Sequence, residues 1–507
     1  MNLTTDPWVP VLDRQGTRQL LSLQDLFAQA HELRDLAVKP HEKIALLRLL
    51  ICITQASLNG PDDHSDWKSC RDDIQPKVKD YLEKWKSSFE LFGDGPRFLQ
   101  VPGLKAAKED DEGNAATKLD LTLASGNNAS LFDNAAGILR PVKPERLALT
   151  LLTFQCFSPG GRIGVAKWNG ADTAGKGSSN HAPCTPSSML HTYLIGESLL
   201  ETIHLNLLDK EEAKHLGAGG WGKPVWELPV TSLAEKAAIA NATTSYLGRL
   251  VPLSRAIRLE PEGRSLILAN GIDYPLLPIY REPAATVILR DEEPAVIGIS
   301  LGRSIWRQLA SISMKRIAQN NPQSGPRALM NVPEDRRSTL WIGALATDKA
   351  KIEDVVEAAY ELAPILFEDE GRKCYESGVA HADAWSEALS KSVKACAATL
   401  KLEPVPYERA RHFYWTAVEQ HVPLLLKAAE SPATVGDWKE TEWGRKLREA
   451  AEDAYEHACP AQTPRQIEAF AIGRGFLFLP KPDTGDGKKA KGSANPKKGS
   501  KSAAAAS

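Results

Sequence analysis

The spacing of apolar and polar positions predicts several elements in the first third of the chain. PWVPVLDRQGTRQLLSL alternates over two short runs around a turn, which predicts two strands followed by the start of a helix. HEKIALLRLLICITQASL is apolar at most positions and predicts a buried helix, whereas DDIQPKVKDYLEKWKSSFELF has the spacing of an amphipathic one. PERLALTLLTFQCF predicts another helix, which Pro144 opens and the run from Ser158 to Gly161 stops.

The rest of the chain changes from strand-like to helical patterns. The stretch from roughly 225 to 300 predicts strands, because SRAIRLEPEGRSLILANG has aliphatic runs broken by turns. A helix is predicted from Ser304 to Asn320. Past about residue 350 the pattern becomes helical, from IEDVVEAAYELAPILF through to RQIEAFAIGRGFLF, with short connections.

These elements predict an α+β fold with three parts. A large mixed α/β domain at 1–368 is followed by a C-terminal up-and-down helical bundle of four helices at 369–480. The tail at 481–507 contains mainly Lys, Gly, Ser and Ala without apolar periodicity, and we expect it to be disordered.

Charge is distributed unevenly along the chain. The 507 residues are 42% hydrophobic and 25% charged, an ordinary globular balance, with a net charge of -2. The tail from Lys481 onward has seven lysines and two aspartates, so the remaining body carries about -7. Within that body, segment 303–337 is the most basic part, with seven basic and two acidic residues. A DNA-binding protein that acts alone is usually basic overall, so nucleic-acid contact here would depend on local patches or on partners.

The sequence gives no sign of a membrane segment, a metal or a cofactor. The start lacks a basic region followed by an apolar run, and the apolar stretch at 44–53 is short and carries Arg48, so we expect a cytoplasmic protein. The seven cysteines are odd in number and none forms a CxxC pair. We therefore expect neither a disulfide framework nor a zinc knuckle.

Catalytic motifs are also missing from the sequence. HExxH, GxSxG and the Walker loop do not occur, and AGKGSS at 174–179 follows no predicted strand. His181 lies three residues before Cys184, which leaves a Cys/His hydrolase as an unfavoured alternative. We expect the protein not to be an enzyme.

The glycine-rich stretch from Pro159 to Gly164 has two interpretations. It can be a helix C-cap and turn, which accounts for most PGG sequences. It can also be a loop whose missing side chains let the backbone approach a groove or a phosphate. The local sequence favours the first interpretation.

Six stretches together resemble one known family. They are NLTTDPWVPV near the start, SGNNASLFDN at 125–134, FQCFSPGG at 154–161, GWGKPVWE at 220–227, GALATDKAKI at 343–352 and ERARHFYW at 408–415. In this order they resemble the CasA family, the large subunits of type I-E CRISPR Cascade complexes. The resemblance covers nearly the whole chain except the tail.

The resemblance implies a non-catalytic subunit of an RNA-guided antiviral surveillance complex. Such a subunit recognises the protospacer-adjacent motif (PAM) in double-stranded DNA from the minor groove, while the guide RNA reads the target by base pairing. It helps to start unwinding and R-loop formation, and it recruits a helicase-nuclease. The implied partners are the other Cascade subunits with CRISPR RNA, target DNA and that nuclease.

The resemblance also implies three DNA-reading elements. A glycine loop corresponds to Gly160, Gly161 and Gly164, with Gly160 the best match. A wedge that splits the first target base pair corresponds to Asp348, Lys349 and Ala350, and Lys349 stands where the best-known wedge has a glutamine. A basic finger corresponds to Arg264, with Arg258 as the alternative.

Further residues are implied to dock guide RNA or to contact phosphates. The loop with Phe132, Asp133 and Asn134 resembles the segment that docks near the 5′ end of the guide RNA. The DNA-backbone candidates are Lys167, Lys315, Arg316 and Arg327. Two alternatives stay open beside the hydrolase: the large subunit of a related multi-subunit CRISPR effector, and a protein scaffold without DNA contact.

Overall fold

The computed structural model describes residues 1–108, 113–123, 137–161, 163–175, 182–315, 322–348 and 351–479. Up to residue 270 its strands and α-helices are β1 Val9–Asp13, β2 Arg18–Leu21, α1 Leu23–Gln29, β3 Leu33–Leu36, α2 Pro40–Leu58, α3 His64–Ser69, α4 Ile74–Lys84, β4 Leu104–Ala106, β5 Asn114–Ala115, α5 Pro144–Phe157, β6 Ala166–Trp168, β7 Ala171–Asp172, β8 His191–Ile195, α6 Leu199–Leu205, α7 Lys210–Ala213, α8 Lys236–Thr244, α9 Tyr246–Leu250, β9 Arg255–Leu259 and β10 Ser265–Asn270. Beyond it they are β11 Val287–Arg290, β12 Glu293–Val296, α10 Leu309–Ile312, β13 Ser338–Asp348, β14 Lys351–Leu362, α11 Asp369–Leu400, α12 Tyr407–Glu419, α13 Val422–Ala429, α14 Glu442–Ala458 and α15 Pro464–Arg474.

The chain divides into two compact units, one of residues 1–380 with 421–443 and one of residues 381–420 with 444 onward. The first unit mixes helices with small sheets, whose strand orders are β2-β1-β3, β4-β6-β7, β5-β10-β9, β11-β12 and β14-β13-β8. The second is helical. The predicted α+β fold with a helical C-terminal region is therefore confirmed. The division between units falls inside α11, which begins at the predicted boundary, Asp369.

Helix α2 is the central element of the first unit. Nearly every side chain from His41 to Gln55 is buried, as the apolar run predicts. Three of those side chains are charged: Glu42, Lys43 and Arg48. Arg48 is 1% exposed and its Nη1 lies 2.7 Å from Glu282 Oε2. Arg249 Nε lies 2.5 Å from the other oxygen of the same carboxylate. Two buried guanidinium groups thus share one carboxylate and tie α2 to α9 and to the chain before β11.

The helical second unit is joined by buried tyrosines. Tyr414 on α12 donates to the Ala382 carbonyl of α11 over 2.8 Å. Tyr455 on α14 donates to the Phe470 carbonyl of α15 over 2.8 Å, and the two rings lie 4.9 Å apart. The aromatic residues of the 408–415 stretch therefore contribute to the core through Tyr414, whereas Phe413 is 38% exposed.

Several predicted elements are confirmed and three predictions are wrong in part. The two opening strands, the buried helix α2 and the helix from Pro144 to Phe157 occur as predicted. The stretch after Ile352 is strand β14 and not a helix, because it pairs along its length with β13. The strand-like middle also contains helices α8 and α9.

The helix predicted from Ser304 to Asn320 is much shorter. It consists of a 3₁₀ turn at Ile305–Gln308 and one α-helical turn at Leu309–Ile312. The Met314 carbonyl then accepts from the Gly325 N–H over 2.6 Å, a bond outside any helix. Residues 316–321 lie outside the described ranges.

Candidate nucleic-acid interface

The glycine loop leaves the C-terminal end of α5. Ser158 caps the helix, and its N–H donates to the Phe154 carbonyl over 2.8 Å. Gly160 and Gly161 are half-buried, and Gly161 has a φ of 137°, which favours a residue without a Cβ. Gly164 is exposed, and a Cβ built there would meet no atom of the described residues within 4 Å. Backbone geometry therefore accounts for Gly161, whereas packing against the described part of the chain does not require a glycine at 164.

A buried arginine holds the start of this loop. Arg255, the first residue of β9, donates from Nε to Ser158 Oγ over 2.7 Å and from Nη2 to the Pro159 carbonyl over 2.6 Å. Its Nη1 donates to Asn270 Oδ1 over 2.8 Å. Burial lowers the pKa of Arg255 to about 10, and Asp273 opposes that shift. The guanidinium is therefore charged at neutral pH and fixes the point where the loop leaves the helix.

Gln155 fastens the last turn of α5 to the same strand. Its Nε2 donates to the Arg255 carbonyl over 2.9 Å, and its Oε1 accepts from the Arg255 N–H over 2.9 Å. Ser254 Oγ donates to the Gln155 carbonyl over 2.7 Å. The helix end below the glycine loop is thus bonded to β9 through both backbone and side chains.

The segment from Ala182 to Ser188 connects the glycine loop to the β13–β14 hairpin. The Ala182 N–H donates to the Ser158 carbonyl over 2.9 Å. At its other end, Ser188 Oγ accepts from the Thr347 N–H over 2.9 Å. The chain from Ala182 to Ser188 forms successive turns. At about 2 Å per residue over six residues, these two contacts are therefore roughly 12 Å apart. The glycine loop and the tip of the hairpin therefore lie at the same end of the first unit.

The wedge residues fall at the tip of that hairpin. Asp348 pairs with Lys351 as the last pair of the β13–β14 register. Asp348 is exposed, while Lys349 and Ala350 lie outside the described residues. Strand β13 is 11 residues long, which at about 3.3 Å per residue gives a hairpin of roughly 35 Å. The β13 residues from Leu340 to Ala346 are buried and Asp348 is exposed, so the strand lies within the first unit and reaches the surface at its end.

The predicted basic finger lies elsewhere. Arg264 is exposed in the turn between β9 and β10, and its neighbour Gly263 accepts from the Val142 N–H over 3.0 Å. This contact is at the N-terminal end of α5, whereas the glycine loop is at the C-terminal end. The 14 residues of α5 span about 21 Å, close to six base-pair steps of DNA. The structure does not bring Arg264 and the glycine loop together.

The alternative, Arg258, is also separate from the glycine loop. It lies three residues along β9 from Arg255, and residues an odd number apart on a strand point to opposite faces. Its side chain lines a cavity between the chain segments at 93–103 and 225–231.

The basic segment 303–337 is largely neutralised by carboxylates from other parts of the chain. Its ion pairs are Lys315 with Glu368 at 3.0 Å, Arg327 with Glu212 at 3.6 Å, Arg336 with Glu201 at 2.7 Å and Arg337 with Glu430 at 2.6 Å. Arg327 is buried, with a side chain 7% exposed, which does not favour the predicted contact with DNA phosphates. Local charge summed along the sequence does not measure the field of the folded surface.

The other residues predicted to contact DNA phosphates differ in their exposure. Lys167 is exposed on β6, directly opposite the exposed Lys105 of β4, and Gly164 precedes it by three residues. Lys315 is half-buried beside Glu368. Arg316 lies outside the described residues. Lys105 was not predicted from the sequence; only the register of β4 and β6 pairs it with Lys167.

The guide-docking residues Phe132, Asp133 and Asn134 lie outside the described residues, as does His181. Cys184 is buried, and its pKa is raised, first by burial and then by its neighbour Cys156. A thiol with a raised pKa rarely forms the reactive thiolate. The Cys/His hydrolase therefore gains no support.

Arg255, like Lys105, is a residue of this interface that the sequence prediction missed. The available signal was a charged residue at the start of the strand RAIRL, beside Ala256 and Ile257, because a charge that is buried must find partners. Its partners Ser158 and Pro159 lie about 100 residues earlier, so spacing along the chain could not identify them.

The described residues provide neither a metal-binding cluster nor a membrane-spanning helix. No group of three or more His, Cys, Asp or Glu side chains there is arranged to hold a metal ion. In the same ranges, no helix is both long and apolar enough to cross a membrane.

Comparison with known proteins identifies the family. The family described as CRISPR-associated protein Cse1 (CRISPR_cse1) matches residues 2–454. A CRISPR-associated protein CasA/Cse1 of Thermus thermophilus is 26% identical over 493 residues, covering 90% of this chain and 91% of that protein.

Solved structures share the fold. Thermus thermophilus CasA (Cse1) has a TM-score of 0.73 at 22% identity, covering 94% of this chain and 98% of the other. Thermobifida fusca Cse1 has a TM-score of 0.73 at 21% identity with the same coverage. A chain of a CRISPR RNA-guided surveillance complex has a TM-score of 0.73 at 18% identity, covering 94% and 99%. Since the family match extends over most of its length, this chain belongs to the CRISPR-associated protein Cse1 family.

Proposed function

We propose that this chain is the large, non-catalytic subunit of an RNA-guided antiviral surveillance complex. In that complex it recognises the PAM of double-stranded DNA from the minor groove, helps to start duplex unwinding and R-loop formation, and recruits a helicase-nuclease. Family membership supports this proposal, as does the similar fold of a chain from a CRISPR RNA-guided surveillance complex.

One observation carries the DNA-reading part of the proposal. The glycine loop and the tip of the β13–β14 hairpin lie at the same end of the first unit, connected through Ala182 to Ser188. A minor groove roughly 6 Å wide admits a backbone without side chains more readily than one with them. The exposed Gly164 meets that requirement.

The hairpin tip would act on the neighbouring base pair. Separating one base step costs a few kcal/mol, and a tip on a rigid hairpin supplies contacts that offset part of this cost. Lys349 gives the tip a positive charge for a phosphate or a base edge, although it is a poorer stacking surface than an amide. Lys167, with Lys105 beside it, would contact the backbone near the loop.

The remaining assignments follow the family resemblance. Phe132, Asp133 and Asn134 would dock near the 5′ end of the guide RNA, and the helical unit would pack against other subunits. Arg264 would meet the duplex about six steps from the glycine loop, where it can add affinity but cannot read the same short motif.

The test is a reconstitution with guide RNA, with and without this chain, on duplexes that carry different PAMs. We expect binding and PAM preference to depend on the chain. Equal affinity and equal preference without it would overturn the proposal and favour a scaffold without DNA contact. A dependence on the chain together with a different PAM geometry would favour the large subunit of a related effector.

A further inference from the structure

A cavity of about 730 Å³ in the first unit has no part in the interface described above. It lies between the turn-rich segment at 93–103, the end of α4 and the segment at 225–231, which includes the end of the GWGKPVWE stretch. Its volume is within the range of sites that bind small molecules, about 300 to 1,000 Å³.

One wall of the cavity is a fixed aromatic surface. Trp226 is buried, and its Nε1 donates to the Tyr81 hydroxyl over 2.7 Å. That hydroxyl donates in turn to Glu227 Oε1 over 2.6 Å. Phe89 packs against the Trp226 ring with centroids 5.3 Å apart. The orientation of Trp226 is therefore set before any ligand arrives.

A second tryptophan lies at the end of α4. Trp85 is half-buried and lines the cavity, and Lys84 Nζ lies 5.4 Å from the centre of its ring. The two indole rings and the lysine place apolar planar surface next to positive charge.

Two arginines supply the remaining positive charge. Arg97 is fixed, since its Nε donates to the Gly93 carbonyl over 2.6 Å and its Nη1 to the Leu259 carbonyl over 3.0 Å. Arg258 lines the same cavity, and among the described residues its guanidinium has neither a hydrogen bond nor an ion pair. Burial and then the nearby Arg258 lower the pKa of Arg97, while Glu260 and Asp94 oppose the shift.

This arrangement favours an anion. The lining carries the positive side chains of Lys84, Arg97 and Arg258 against the carboxylates of Asp94 and Glu227, and Glu227 already accepts from the Tyr81 hydroxyl, so positive charge is in excess. A phosphate would accept hydrogen bonds from both guanidinium groups, the geometry for which arginine is suited. Planar bases stack on tryptophan rings without regard to their identity.

We infer that this cavity binds a nucleoside monophosphate unit, with its phosphate on Arg97 and Arg258 and its base on the tryptophan wall. A free nucleotide and the 5′-phosphorylated end of a single strand share this chemistry. The site is separate from the minor-groove interface, because Arg258 points to the opposite face of β9 from Arg255 and the glycine loop.

The experiment titrates the full chain with AMP, inorganic phosphate, adenosine and a 5′-phosphorylated trinucleotide, followed by calorimetry and tryptophan fluorescence. AMP should bind and quench fluorescence, and it should bind more tightly than phosphate or adenosine. The Arg258→Gln variant should bind AMP about tenfold more weakly or worse, because a charge-assisted hydrogen bond is lost. Arg290→Gln, an exposed arginine outside the cavity lining, is the matched control and should bind as the unchanged chain does.

The outcomes separate the parts of the inference. No AMP binding at millimolar concentration, or equal weakening by Arg290→Gln, overturns it. Phosphate binding as tight as AMP binding overturns the base contact, and the Trp85→Leu variant provides a second check because it should weaken AMP more than phosphate. If the trinucleotide binds more tightly than AMP, the ligand of the cavity is the end of a strand. If AMP binds more tightly, the ligand is a free nucleotide.

Discussion

Arg255 and Asn270 face each other across the β9–β10 pair, and the Arg255 guanidinium donates to Asn270 Oδ1 over 2.8 Å. Asn270 Nδ2 donates in turn to the Ala174 carbonyl over 2.9 Å. Because Arg255 also bonds Ser158 and Pro159, one buried charge joins the glycine loop, the end of β10 and the chain after β7. A loop that reads a groove with its backbone needs such a fixed origin.

Replacing Arg255 should loosen the glycine loop. Arg255→Gln removes hydrogen bonds to Ser158, Pro159 and Asn270, and we expect the free energy of unfolding to fall by about 2 to 4 kcal/mol. Asn270→Ala, which removes the second link, should cost about 1 to 3 kcal/mol. Urea unfolding measures both changes. In the reconstituted complex, PAM preference should fall more than total DNA affinity, and an unchanged preference would contradict a positioning role.

Among the charged groups of the first unit, the buried ion cluster around Glu282 should lose the most stability when a charge is removed. Glu282→Gln leaves Arg48 and Arg249 charged and close together without a carboxylate, and we expect a loss of about 3 to 5 kcal/mol of stability. Glu293→Gln on exposed β12 is the matched control and should change stability by less than about 0.5 kcal/mol. If Glu282→Gln and Glu293→Gln lower the stability equally in thermal and urea unfolding, the cluster is not a structural centre.

Acid should destabilise the fold through two buried histidines. Burial lowers the pKa of His41 and of His191 from 6.5 to about 4, and Lys39 and Arg146 at His41 and Arg48 at His191 lower it further. The unfolded chain therefore binds protons between pH 6.5 and 4 that the folded chain does not, so stability falls as the pH is lowered through this window. Glu42 and Asp120 near His41, and Glu282 near His191, oppose the shift without cancelling it.

The size of this effect can be checked by mutation. Each such histidine contributes up to about 1.4 kcal/mol per pH unit in the window. His191→Gln should reduce the slope of unfolding free energy against pH between 6 and 5, measured in urea. The exposed His64→Gln should leave the slope unchanged, and a slope equal in both variants would exclude His191 as the cause.

The sequence predicted elements whose apolar period is strong and missed those whose period is interrupted. Helix α2 is apolar at most positions, and α5 has both a proline start and a glycine stop, so both were found. Strand β14 was interpreted as a helix because its residues, with several Glu and Ala, favour helices. Pairing with β13 overrides that preference, and the register shift between Ala346 and Thr347 interrupts the two-residue period.

The sequence resemblance pointed to the parts of the candidate interface that lie within one continuous stretch of chain. It could not point to contacts between segments that are distant in sequence. The glycine loop and the hairpin tip each lie within one stretch. The clamp of Arg255 and the pairing of segment 303–337 with Glu201, Glu212, Glu368 and Glu430 depend on tertiary contacts. A basic excess along the sequence therefore did not become a basic surface.

Gly164→Ala should separate folding from DNA reading. A Cβ at this exposed position meets no atom within 4 Å, so stability should change by less than about 0.5 kcal/mol. In a minor groove the added methyl group would collide with base edges, so binding to PAM-bearing duplexes should weaken while non-specific binding persists. Gly161→Ala is the contrasting variant, because a φ of 137° makes it destabilising by about 1 to 3 kcal/mol. Unchanged PAM binding by Gly164→Ala would exclude this residue from the groove.

Lys349→Ala tests the hairpin tip as a wedge. The tip follows Asp348 at the end of a long β13–β14 pair, and the neighbouring Thr347 is bonded to Ser188, so shortening the side chain at position 349 should not disturb the pairing. We expect R-loop formation to slow by about tenfold or more, because contacts that offset about 1.4 kcal/mol of unstacking are lost, while the unfolding midpoint stays the same. Stopped-flow fluorescence with a base analogue at the first target position measures the opening step directly. Lys214→Ala is the matched control, since that lysine is exposed, is paired with Glu211 outside the candidate interface and should leave the opening rate unchanged. If both variants open the duplex at the rate of the unchanged chain, the tip is not the wedge. If a target with a mismatched first base pair restores the rate of Lys349→Ala, the lost step is the separation of that pair.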